Sequence, residues 1–115
     1  MTQPTPTVTA ADVERIVRRD FPADRAAEVL AMLGEYREQD GQYRVRLAVL
    51  KLAAGDLERL RYELEGAKCD YRDVLGPAEY PGYTKRMFRI DTLPQDEQQR
   101  IIDSDWRQYE EWLRR

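Results

Sequence analysis

Tyr43-Arg44-Val45-Arg46-Leu47-Ala48-Val49-Leu50-Lys51-Leu52-Ala53-Ala54 is the stretch on which the fold turns. Its first half alternates, with Tyr43, Val45, Leu47 and Val49 separated by Arg44, Arg46 and Ala48, as in a half-buried strand. Carried on through Leu50, Leu52, Ala53 and Ala54, the run outgrows a typical strand and fills with helix formers. On a helical wheel it is apolar around most of the circumference except near Arg44 and Lys51. The segment therefore reads as a central, heavily buried helix, and the chain as all-α.

Gly55-Asp56 comes next: a residue that tolerates positive φ, then an acidic N-cap. One helix ends there and another begins with almost no loop, which predicts an antiparallel hairpin. From Leu57 the series Leu57, Leu60, Leu64, Ala67, Tyr71, Val74, Ala78 keeps a three-four spacing along one helical face. Gly66 and the capping candidate Asp70, with Asp73 three residues on, divide this series into two helices with a break near Cys69. Gly76-Pro77 is expected to end the second of them, leaving one further turn that Pro81-Gly82 stops. No helical signal persists over residues 83–91.

Upstream, Thr9 and Asp12 resemble a capping box for a first helix over residues 10–19, with Val13, Ile16 and Val17 turned inward. Phe21-Pro22 breaks it. A second helix carries Ala26, Val29, Leu30, Leu33 and Tyr36 on one face and is expected to fade at Gly41, after the polar Glu38-Gln39-Asp40. Downstream, Thr92-Leu93-Pro94 opens a last helix whose first turn holds Asp96 and Glu97. Ile102, Trp106, Tyr109 and Leu113 form its expected inward stripe. Asp103 with Arg107, Glu110 with Arg114 and Glu111 with Arg115 are acid-before-base pairs on its surface. Residues 1–8 alternate Pro with Thr and read as a flexible arm. The expected architecture is a compact all-α bundle of five or six helices, a single domain over residues 9–115.

A chain of 115 residues, 42% hydrophobic and 36% charged, has enough apolar surface for one packed core. A net charge of −3 lacks the basic excess of most nucleic-acid-binding domains and disfavours that class of partner. With no histidine and one cysteine, the sequence holds no intrachain disulfide, no usual zinc ligand set and no Ser-His or Cys-His pair. It contains no cofactor signature and no run near the roughly 20 apolar residues of a membrane span. The start has neither the basic flank nor the apolar core of a signal peptide, so the expected address is cytoplasmic.

Leu50-Lys51-Leu52-Ala53-Ala54-Gly55-Asp56-Leu57-Glu58-Arg59-Leu60, followed by Cys69-Asp70-Tyr71-Arg72-Asp73-Val74-Leu75 and Ala78-Glu79-Tyr80-Pro81, resembles a group of small uncharacterised bacterial helical proteins. The resemblance covers under a third of the chain, and because that group has no assigned activity it brings no catalytic residues. Gly76-Pro77 departs from the continuous helix that the group's pattern implies.

Residues 70–81 hold the densest polar and aromatic cluster. Asp70 and Asp73 share a helix face, and Arg72 can pair with a carboxylate through both arms of its guanidinium. The structural reading of the same residues is a helix cap and an ion pair. Tyr71 falls on the buried seam, whereas Tyr80, beside Pro81-Gly82-Tyr83, is the surface candidate; Trp112 lies off the centre of the last stripe. Arg72, Glu79, Tyr80, Tyr83 and Trp112 are therefore the candidate partner-binding residues of a non-enzymatic interaction module, an adaptor, regulator or immunity-type binder that meets another protein or a second copy of itself. Two alternatives remain. A carboxylate-based Mg²⁺-dependent enzyme would use Glu35 with Glu38 and Asp70 with Asp73. A weak nucleic-acid binder would use the loop Tyr83-Thr84-Lys85-Arg86-Met87-Phe88-Arg89.

Overall fold

The computed structural model describes residues 3–37 and 41–115. Among them the chain is all-α, with seven helices and two single 3₁₀ turns. Helix α1 spans Ala10–Asp20, α2 Ala26–Leu33, α3 Gln42–Ala53, α4 Leu57–Cys69, α5 Arg72–Glu79, α6 Pro81–Lys85 and α7 Gln95–Arg114; the 3₁₀ turns are Ala23–Arg25 and Ile90–Thr92. The count exceeds the expected five or six because α6 is short and lies where no helix was expected.

Helix α3 is the centre. Leu47, Ala48, Val49 and Leu50 are four successive residues with no exposed surface, so the helix is buried on every side rather than on alternate residues. That is how its sequence mimics a strand: Arg44 and Arg46 stand on the one stretch that reaches polar partners. The α4, α5 and α1 helices pack around it. Burying each large aliphatic side chain in such a position is worth about 2 kcal/mol. The link to α4 matches expectation: Ala54 and Gly55 take left-handed backbone at φ 51° and 81°, and the Asp56 carboxylate accepts the Arg59 N–H at 3.0 Å. A side chain at Gly55 would be strained twice, since a Cβ there would lie 2.9 Å from the Asp20 carbonyl oxygen.

The N-terminal helices follow their sequence signals with one correction. The Asp12 carboxylate accepts the Thr9 N–H at 2.9 Å, and Val13, Ile16 and Val17 are buried. Helix α2, however, ends at Leu33 and does not run toward Gly41. Gly34 weakens the helix, and the Tyr36 carbonyl, released from it, accepts from Arg46 at 2.9 Å while the Tyr36 ring stays in the core. The expected polar end at Glu38-Gln39-Asp40 lies outside the described residues.

The break between α4 and α5 falls at Asp70-Tyr71, where the Asp70 carboxylate accepts the Arg72 N–H at 3.0 Å. Gly76-Pro77 does not end α5, which continues to Glu79 with Pro77 inside it. Pro77 forgoes the bond to the Asp73 carbonyl, and the burial of Val74 and Ala78 holds the turn in place. Pro81 likewise starts α6 rather than stopping the chain, because a first-turn proline sacrifices no helical hydrogen bond.

Helix α7 is rotated from its expected stripe. Its buried residues are Gln98, Ile102, Asp105, Tyr109 and Trp112, while Trp106 and Leu113 are only half-buried. Two polar side chains turn the helix: Gln98 donates to the Leu93 carbonyl at 2.8 Å, and Asp105 accepts backbone N–H groups of α6. Of the surface pairs, Glu110 with Arg114 closes at 3.2 Å. At the chain start, Pro6 is buried and the Tyr80 hydroxyl donates to the Pro4 carbonyl, so part of the proline-rich arm lies on the bundle.

Candidate interaction surface

The corner built by α5, α6 and the loop to α7 holds most of the residues singled out in the sequence. Its base is the Asp105 carboxylate on α7, 5% exposed, which accepts the Gly82 N–H at 2.9 Å and the Tyr83 N–H at 2.8 Å. These are orphan donors of the first turn of α6, satisfied from another helix. Gln108, one turn further along α7, donates to the Asp105, Ala78 and Glu79 carbonyls and joins α7 to the end of α5.

Beyond α6 the chain tightens into consecutive turns: Arg86 N–H bonds the Tyr83 carbonyl at 3.0 Å, and Arg89 N–H the Arg86 carbonyl at 2.8 Å. Ile90, buried, plugs the far end. Between these anchors Phe88 stands 94% exposed and Met87 53% exposed. Lys85, Arg86 and Arg89 are exposed beside them. Behind Met87 lies a hollow of about 250 Å³ lined by Gln3, Arg44, Arg72, Tyr83 and Thr84 among others.

The five expected partner-binding residues divide. Arg72 is exposed, its guanidinium forked onto Asp70 at 3.0 Å from both Nε and Nη2. Those hydrogen bonds, from the Arg72 side chain first and its N–H second, hold the Asp70 carboxyl below the usual carboxylate range. Tyr83 is half-buried. The other three are interior, which corrects their reading as surface groups. Glu79 is 2% exposed and accepts both arms of Arg44, at 2.8 and 2.7 Å. Tyr80 is 4% exposed, and burial, assisted by the nearby Glu79 charge, pushes its phenol up to about 12. Trp112 packs on Tyr109 at 5.5 Å between ring centroids and under the Arg19 guanidinium at 5.3 Å. Tyr71, assigned to the seam, is instead exposed, because the break at Asp70 rotates it out of register.

Two of the carboxylates weighed for Mg²⁺ are engaged elsewhere. Asp70 holds Arg72, and Glu35 pairs with Lys68 at 2.7 Å; Glu38 lies outside the described residues. No group of three or more potential metal ligands occurs among the described residues. No helix among them is long and apolar enough to cross a membrane.

The exposure of Phe88 and Met87 emerges only in the folded chain. The sequence marks residues 83–89 for mixed cations and aromatics, but the signal that isolates Phe88 is an apolar side chain with no neighbour in helical register.

Fold and corner together define an all-α bundle that presents an apolar tip ringed by cations. No family model matches this chain, and no curated protein or solved structure matches it either.

Proposed function

We propose that this protein is a non-enzymatic interaction module of the cytoplasm that binds an acidic segment of another protein through the Arg72–Tyr83–Phe88 corner. The observation that carries the reading is Phe88, 94% exposed on a loop pinned at both ends. An aromatic side chain held in water forgoes about 2 kcal/mol of burial that a partner restores on docking. Its surroundings have the composition of an interface: an apolar centre at Phe88 and Met87, and a rim of Arg72, Lys85, Arg86 and Arg89 that selects negative charge. The hollow behind Met87 offers room for one partner side chain.

The test replaces Phe88, not the buried Tyr80. Tagged wild-type protein and Phe88→Ser are used to capture proteins from host lysate, and each captured protein is then purified and titrated directly. The reading expects an acidic partner whose affinity falls at least about 30-fold in Phe88→Ser at equal Tm, and whose affinity depends less on salt in Arg72→Ala than in wild type. A partner bound equally by wild type and Phe88→Ser, or a preference for single-stranded nucleic acid over any protein, would overturn it.

A further inference from the structure

Toward the C-terminal end of α7 from Asp105, the ends of three helices leave a cleft of about 830 Å³. Arg19 and Asp20 from α1, Lys51 and Ala54 from the end of α3, and Gln108, Glu111, Trp112 and Arg115 from the end of α7 line it. Its cations have unequal roles. Arg19 is fully used: it pairs with Asp20 at 2.8 Å, donates to the Trp112 and Arg115 carbonyls at 2.6 and 3.2 Å, and covers the indole. It closes the C-terminal end of α7, where orphan carbonyls call for a donor.

Lys51 has no such employment. Its stem is half-buried, and its ammonium has neither an ion pair nor a hydrogen bond among the described residues. The carboxylate that favours its charge is Asp105, whose oxygens already serve Gly82 and Tyr83. The charge that opposes it is Arg115, a second cation of the same wall that no ion pair holds among the described residues. A cation drawn partly out of water toward a like charge is a costly arrangement, and an anion between the two relieves both the desolvation and the repulsion. Trp112, covered by Arg19 and packed on Tyr109, adds only its small exposed part to the wall beside them.

We infer that this cleft is a binding site for a small oxyanion, a phosphate or carboxylate group seated between Lys51 and Arg115. The site is independent of the Phe88 corner and would persist if that reading failed.

The experiment uses the full chain with two probes, inorganic phosphate and malonate, at ionic strength held constant with chloride. Thermal unfolding is expected to show a saturable rise in Tm with one probe or both, lost in Lys51→Met and retained in Lys51→Arg. Phosphate alone raising Tm assigns a phosphate ligand, and malonate alone a carboxylate. Because Lys51→Met changes stability by itself, amide and indole N–H resonances of the wild type are followed in parallel. Shifts confined to Arg19, Lys51, Trp112 and Arg115 support the site. A response no larger than that to chloride, an undiminished response in Lys51→Met, or shifts centred elsewhere would overturn it.

Discussion

Asp105 and Gly82 approach so closely, carboxylate to backbone N–H at 2.9 Å, that no side chain fits between them: a Cβ on Gly82 would lie 2.8 Å from the same oxygen. Helix α6, five residues long, is too short to be stable alone and owes its position to this contact. Asp105→Ala leaves two half-buried N–H groups without acceptors and should lower stability by about 2 kcal/mol, a fall in Tm of about 8 °C. The specific sign is loss of hydrogen-exchange protection at Gly82 and Tyr83 beyond that of the core. Gly82→Ala should cost a similar amount, and the double variant less than the sum, because both changes break one contact. Retained protection in Asp105→Ala would remove the clamp from the account.

The Arg44–Glu79 pair predicts a second asymmetry. Glu79 is interior whereas the Arg44 side chain remains 30% exposed, so the arginine can reach water when its partner is lost but the glutamate cannot. Arg44→Leu, which strands the buried carboxylate, should therefore be the more damaging single change, at about 3 kcal/mol, and Glu79→Leu the milder. Replacing both with leucine should recover much of the loss. Urea titrations of the four proteins give the comparison, and equal costs for the two single variants would contradict it.

How far the sequence discloses this arrangement depends on where the deciding interaction lies. The α3–α4 link was legible in Gly55-Asp56 because a left-handed residue and an N-cap acid act within a few residues of themselves. The buried course of α3 was legible because Leu47 to Leu50 must be covered whichever side they face. Tyr80, Glu79 and Trp112 were not. Their burial depends on Pro4, Arg44 and Arg19, each far away in sequence, and no local period reports such contacts. The rotation of α7 was hidden for the same reason, since Asp105 counts as an outward residue until α6 supplies its two donors. Phe88 was visible as composition, but its exposure follows from the Asp105 clamp and the Ile90 plug.

Alkaline pH should expose the buried phenols. The Tyr80 phenol is pushed up to about 12, and burial raises that of Tyr109 as well. Both keep their proton in the folded chain after an unfolded tyrosine, with pKa near 10, has lost it. The folded state then binds more protons, so their contribution to stability is complete below pH 10 and falls as pH rises from about 10 toward 12. Tyr80→Phe should flatten that part of the Tm-against-pH curve. Tyr109→Phe carries an extra expectation at pH 7: the Tyr109 hydroxyl is buried without a hydrogen-bond partner among the described residues, so its removal should be neutral or stabilising by up to about 1 kcal/mol. A clear loss of stability at pH 7 would show that the hydroxyl has a partner in solution.

Lys51 gives the opposite pH dependence. Burial first, and the Arg115 charge against it, lower its pKa below the ordinary lysine value, with Asp105 acting the other way. A lysine that is harder to protonate when folded opposes folding wherever it is charged in both states. That cost is complete at neutral pH and disappears as pH rises past the unfolded lysine value near 10.4. Lys51→Met keeps the length of the stem and removes the charge, so it should raise Tm at pH 7, with the gain shrinking steadily toward pH 10.5. The two alkaline trends separate by mutation, since only the tyrosine effect survives in Lys51→Met. A Tm for Lys51→Met at or below that of wild type at pH 7, in chloride without other anions, would mean that the ammonium is well solvated and carries no such cost.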